Sequence, residues 1–240
     1  MQPEAQLTPT QRPALRIADC YWFFGPLVLM VELNMISKSV IHAFLARTDT
    51  PSISLAAFNS AFTLYFASTS ASEVTAVLAL AFLKSRADAL RLMAFTALVL
   101  LLPVSLALAV CFTSLGDFVF GGWFGLGTQA SLEARSAVGL LACSAPVLIL
   151  RGTAFALLML SRKTIIITAS TLVRLLSLTA SLAILPFWLE GAAIGAAALV
   201  ACMASETVFA WCFAWRRFMD LPAIAQARDL SSATGVSLGR

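Results

Sequence analysis

Charge is scarce in this chain, histidine nearly absent, and no polar stretch is long enough to fold on its own. Charged residues make up 12% of 240, against 60% hydrophobic; ordinary soluble domains hold about 25% and about 45–50%. Too little polar surface remains to coat a globule in water. His42 is the single histidine, which excludes a histidine metal cluster and any paired-histidine catalysis. GxSxG, HExxH and paired-Asp signatures are also missing, so the chain is read as a non-enzyme. The five cysteines, Cys20, Cys111, Cys143, Cys202 and Cys212, show no CxxC spacing. They are read as small apolar fillers, with no disulfide, metal or cofactor inferred. The first 19 residues lack an apolar core, which excludes a secretory signal peptide.

Long apolar runs supply what the polar residues do not. Six of them fill the chain: Tyr21 to Ala46, Leu55 to Leu83, Leu92 to Leu115, Ser136 to Leu160, Thr164 to Trp188 and Gly191 to Trp215. A bilayer core about 30 Å thick needs around 20 apolar residues of helix, and Leu92 to Leu115 provides this without a charged side chain. The expected fold is therefore all-α: one bundle of six transmembrane helices over residues 20–218, with cytoplasmic tails at 1–19 and 219–240. Between the third and fourth runs, Gly116 to Arg135 mixes glycines with Phe118, Phe120, Trp123 and Phe124. It reads as an interfacial connector or a gating loop. Pro26, Pro103, Pro146 and Pro186 fall in or near the ends of runs, where proline kinks helices. The sixth run opens with a small-xxx-small face, Gly191 to Ala198, suited to close approach by another helix of the bundle.

The net charge of +4 would suggest nucleic acid in a soluble protein, but its distribution fits a membrane instead. Arg12, Arg16, Lys84, Arg86, Arg91, Arg162, Lys163, Arg216, Arg217, Arg228 and Arg240 collect on one side of the six-span layout. The other side has Arg47 and Arg135. By the positive-inside rule both termini are cytoplasmic, as an even number of spans requires. Aromatic residues at the span ends, such as Tyr21-Trp22 and Trp211 with Trp215, fit interfacial anchoring.

Five spans carry a charge that counting places at one depth. Glu32, Glu73, Arg151, Arg174 and Glu206 each lie around ten residues from the cytoplasmic end, or about 14–16 Å at the helical rise. A charge at the centre of a membrane helix costs about 2.5–3.5 kcal/mol, so such groups must pair, be hydrated or be used. Two readings follow: a proton- or cation-binding site, or ion pairs that tie helices together. Asn34, Lys38 and His42 recur every four residues on the first span, and Asn59, Thr63, Phe66, Ser70 and Glu73 form a stripe on the second. Two such faces on adjacent helices would line a polar cleft. The candidate substrate- or ion-binding set is thus Glu32, Asn34, Lys38, His42, Asn59, Glu73, Arg151, Arg174 and Glu206.

The layout and several short signatures carry a resemblance. Pro26 sits early in the first span, Leu45-Ala46-Arg47 closes it, and Leu55-Ala56-Ala57-Phe58 opens the second. Arg151-Gly152 lies in the fourth, Ser161-Arg162-Lys163-Thr164 leads to Thr171 and Arg174 of the fifth, and Gly191-Ala192 opens the sixth. In this the chain resembles half of a multidrug and toxic compound extrusion transporter, within the superfamily that includes polysaccharide and lipid flippases. The resemblance implies a fold of two six-helix halves around a cleft, and so a homodimer or a second six-helix half as partner here. Glu32, Asn34 and Lys38 stand where drug exporters of this kind often carry an Asp, so the coupling ion is open.

The leading expectation is a multi-pass inner-membrane transporter or flippase moving an organic or amphipathic solute by alternating access. Glu32, Glu73 and Glu206 would be its proton or cation groups. The alternatives are a non-transporting membrane subunit whose charges serve assembly, and, more weakly, an integral membrane enzyme. The partners expected are the lipid bilayer, the solute and a second bundle, with no nucleic acid.

Overall fold

A computed structural model describes residues 17–161 and 163–223, and among these every regular element is helical. Three long helices come first: α1 (Ile17–Leu45), α2 (Pro51–Phe82) and α3 (Arg86–Phe112). A single turn, α4 (Leu115–Asp117), then runs into a π-helical turn at Phe118–Trp123. The chain continues through α5 (Thr128–Ala142), α6 (Ala145–Leu160), α7 (Thr164–Ile184) with a 3-10 turn at Leu185–Phe187, and α8 (Ala192–Asp220).

Local sequence explains several boundaries. Pro51 opens α2, where its missing N–H costs nothing. Ser85 caps α3: its hydroxyl accepts from the Asp88 N–H at 3.1 Å and donates to the Asp88 carboxylate at 2.8 Å. The long run Ser136 to Leu160, expected as one continuous span, is instead broken at Cys143-Ser144, and α5 and α6 meet at a 44° bend. Pro146 is the reason, since it cannot donate into a continuous helix and sits in the first turn of a new one. Pro186 likewise falls in a terminal 3-10 turn rather than kinking a helix. Residues Gly116 to Arg135, expected as a loop, include the π-helical turn and half of α5. The C-terminal tail, expected from residue 219, begins later: α8 runs to Asp220, and the carbonyls of Pro222 and Ala223 accept from the backbone N–H groups of Arg86 and Ala87.

Three helices are long and apolar enough to cross a membrane: Arg86–Phe112, Thr164–Phe187 and Ala192–Asp220, with mean hydropathy 2.5, 1.7 and 1.7. The bent pair α5–α6 makes a fourth if it counts as one span. By length and composition these helices suit a membrane protein. Their burial sorts them, with 61% of the α8 span inside the protein and only 22% of the α3 span. Accordingly α8 is the central helix, packed on α5, α6 and α7, and α3 lies at the periphery. Gly195 makes the close packing on α8 possible: a Cβ there would stand 3.0 Å from both Ile41 of α1 and Phe58 of α2. The small-residue face thus meets helices of its own chain.

Two buried apolar clusters divide the bundle along its length. The larger gathers Ile41, Leu45, Phe58, Ala61, Val138, Leu178 and Leu199 around the start of α8. The smaller gathers Ala79, Leu83, Phe155, Leu158, Ile167 and Ala214 around its end. Buried polar residues concentrate between them.

A cationic cavity between two apolar clusters

A cavity of about 490 Å³ occupies the level between the clusters. Lys38 of α1, Phe62, Tyr65, Thr69 and Ser72 of α2, Arg151 and Phe155 of α6, Arg174 of α7 and Met203 of α8 contribute to its wall. Of its lining, Val31, Met35 and Phe66 are about half exposed, and all three belong to α1 and α2. The cavity therefore opens sideways, between those two helices.

Charge organises the floor. Glu206 is fully buried; its Oε2 lies 3.0 Å from Arg151 Nε and 3.6 Å from Arg174 Nη1, and its Oε1 lies 3.3 Å from the Thr171 hydroxyl. Three helices, α6, α7 and α8, are tied at this point. Both guanidiniums thus share the one carboxylate of Glu206. The Arg151 Nε–H, though close to Glu206, is not directed at it. The Arg151 guanidinium instead lies 4.8 Å from the centre of the Phe155 ring. Across the cavity the Lys38 ammonium sits 4.5 Å above the Phe62 ring and 5.8 Å from Phe66, and no described carboxylate lies within salt-bridge distance of it. Cation–π contacts are worth about 0.5–2 kcal/mol each and leave the N–H donors available.

Of the residues expected to form a site, the structure brings Lys38, Arg151, Arg174 and Glu206 together. Glu32 is exposed on α1 and stays outside the cavity wall. His42 lies farther along α1, edge-on to Phe58 at 5.8 Å. Asn59 is exposed and also stays outside. The side chains of Asn34 and Glu73 are outside the described residues. Among the described side chains of the expected α2 stripe, Phe66 alone lines the cavity, and the Thr63 and Ser70 hydroxyls donate to carbonyls of their own helix. Tyr65, Thr69 and Ser72 take their place, about 100° around the helix, one residue's rotation.

Tyr65 also marks the helix break. Its hydroxyl lies 2.9 Å from Ser144 Oγ and 3.9 Å from Met203 Sδ, all of them buried. Trp211 donates its indole N–H to the Leu150 carbonyl at 3.0 Å, anchoring α8 to α6 one residue before Arg151. At the far end of α8, Gly191 has φ +59° and ψ −140°, a region reserved for glycine. There the Glu133 carboxylate of α5 accepts from the Ala192 N–H at 3.0 Å and the Ser54 hydroxyl at 3.1 Å. It caps α8 from another helix.

Among the described residues no three His, Cys, Asp or Glu side chains converge as a metal site would require. The arrangement can hold an organic molecule on apolar and aromatic walls while cations fix one end. No protein-family profile matches this chain, and no curated protein or solved structure is significantly similar to it.

Proposed function

We propose that the chain is a six-span membrane transporter or flippase-like half-transporter that moves an organic or amphipathic solute by alternating access. It would reside in the inner membrane with both ends cytoplasmic and pair with a second copy or a second six-helix half. Three helices fit spans by length and hydropathy, the bent pair α5–α6 would make a fourth, and α1 and α2, with 29 and 32 residues, would be the other two. The likeness in layout to multidrug and toxic compound extrusion transporters points the same way. The observation that carries the reading is the cavity itself: a space of ligand size, closed by an apolar cluster at either end, with buried charge on its floor. A purely structural ion-pair cluster would need no such space.

Glu206, fully buried against Arg151 and Arg174, would act as a counter-ion rather than as a coupling group.

Alternating access can be tested without knowing the solute. Thr69→Cys, in a chain cleared of its native cysteines and oriented in liposomes, should react with a membrane-impermeant thiol reagent applied to either side. Labelling from one side only, under every gradient imposed, would refute transport through this cavity.

A further inference from the structure

We infer that residues 221–223 form a releasable strap that holds the bundle shut at its smaller apolar cluster, and that opening the cavity toward that end requires the strap to part from α3. Its origin is local. Pro222 disfavours helical backbone in the residue before it, and Leu221 is accordingly extended, with φ −68° and ψ 141°. α8 therefore stops at Asp220, and the chain crosses to the first turn of α3. A helix begins with backbone N–H groups that have no partner within it. In α3 the Asp88 N–H goes to Ser85 Oγ, while those of Arg86 and Ala87 go to the carbonyls of Pro222 and Ala223 at 2.9 and 3.3 Å. The Arg86 guanidinium reaches the other way and donates to the Met219 carbonyl, in the last turn of α8. Each helix end thus completes the other.

Position gives these bonds a consequence beyond capping. The strap joins α8, which carries Glu206, to the turn between α2 and α3, and α2 carries the Phe62, Tyr65, Thr69 and Ser72 wall of the cavity. Leu83 and Ala89, on either side of that turn, lie in the smaller cluster, and Leu221 packs against it. One residue, Leu221, separates the end of α8 from the first strap bond, so there is little slack. At this end α2 cannot leave α8, and so uncover Phe155 or Ala214, without breaking those bonds. Yet the hold is slight. Pro222 and Ala223 are exposed and Arg86 is only partly buried, so water can take over each bond, and segments held in this way belong to the low-stability end of local opening.

The strap takes its use from the transport reading, but its test does not depend on it. Ala156 of α6 is fully buried in the smaller cluster and takes no part in the strap. Ala156→Cys, in a chain cleared of its native cysteines and held in lipid nanodiscs, should react slowly with a membrane-impermeant thiol reagent. Arg86→Leu, which removes the guanidinium bond and keeps the N–H, should speed that reaction about tenfold, the worth of one hydrogen bond to a charged group. Arg86→Pro should speed it further. Proline also lacks the N–H yet fits the first position of a helix, and Ser85 before it is already extended. Ala134→Cys, fully buried in the larger cluster, should keep its rate in both variants. If the strap bonds were only caps, amide exchange would rise near them while Ala156→Cys stayed protected, which would overturn the inference. An equal rise at Ala134→Cys would overturn it as well, by reporting general loosening; should Arg86→Pro not fold, Arg86→Leu decides alone. Transport is scored separately by Thr69→Cys in liposomes. Faster labelling of Ala156→Cys beside one-sided labelling of Thr69→Cys would keep the strap and sink transport, and the opposite pair of results would do the reverse.

Discussion

Replacing Glu206 by glutamine removes one negative charge and almost no volume. The carboxylate is fully buried with guanidinium nitrogens at 3.0 and 3.6 Å. A unit pair near 4 Å attracts by about 4 kcal/mol at an effective dielectric of about 20, and the glutamine amide recovers part of this as hydrogen bonds to charged groups. Leaving two buried arginines without their counter-ion should cost about 3–5 kcal/mol. For a chain of this size each kcal/mol moves the melting temperature by about 2–4 °C, so Glu206→Gln should melt about 10 °C below the parent in nanodiscs. The complementary variant removes all three charges, with Arg151→Met, Arg174→Met and Glu206→Leu together. Replacing a buried ion cluster by apolar side chains of similar size is often neutral, so the triple variant should melt well above the single one. A single variant within 1 °C of the parent, or a triple variant below it, would show that these charges are not buried together.

Other perturbations test the frame around the site. Gly195→Ala adds a methyl 3.0 Å from Ile41 and Phe58; the overpacking should destabilise by about 1–3 kcal/mol, read as a lowered melting temperature. Gly191→Ala strains a glycine-only backbone and drives a Cβ into the Glu133 carboxylate. It should cost at least about 1–3 kcal/mol, and Glu133→Gln in the same chain should not restore it. Arg135 holds the Cys111 and Thr113 carbonyls at 3.1 and 3.0 Å and Asp117 at 3.1 Å. Arg135→Ala should therefore raise amide exchange across residues 113–127 while leaving α8 unchanged, and Arg135→Lys, lacking the planar fork, should rescue it only in part.

Helix content, and helices long and apolar enough to span a bilayer, were legible because apolar runs of 20 or more residues favour them. The meeting of Arg151, Arg174 and Glu206 was legible too, since the helical rise alone puts them at one level. What counting could not provide was rotation about each helix axis. Glu32 sits at the same nominal depth as Arg174, yet it is exposed on α1 while Arg174 turns inward. On α2, polarity suggested Asn59, Thr63 and Ser70, but serine and threonine hydroxyls in a helix can satisfy themselves on their own carbonyls and so need not face a cavity. Tyr65 carried no signal in the sequence, because its hydroxyl partner, Ser144, is 79 positions away. The break at Ser144 had a signal in Pro146, weakened by the unbroken hydrophobicity around it.

The unequal size of the two apolar clusters carries a thermal consequence. Admitting water at the Ile41–Phe58 end wets more hydrocarbon than admitting it at the Ala79–Phe155 end, and wetting hydrocarbon raises heat capacity. Cooling weakens the drive to keep such surface dry, so if access alternates as proposed, a lower temperature should favour opening at the Ile41–Phe58 end and warming the opposite one. Under that proposal the balance between the two openings would drift with temperature along a curved rather than a straight van't Hoff plot.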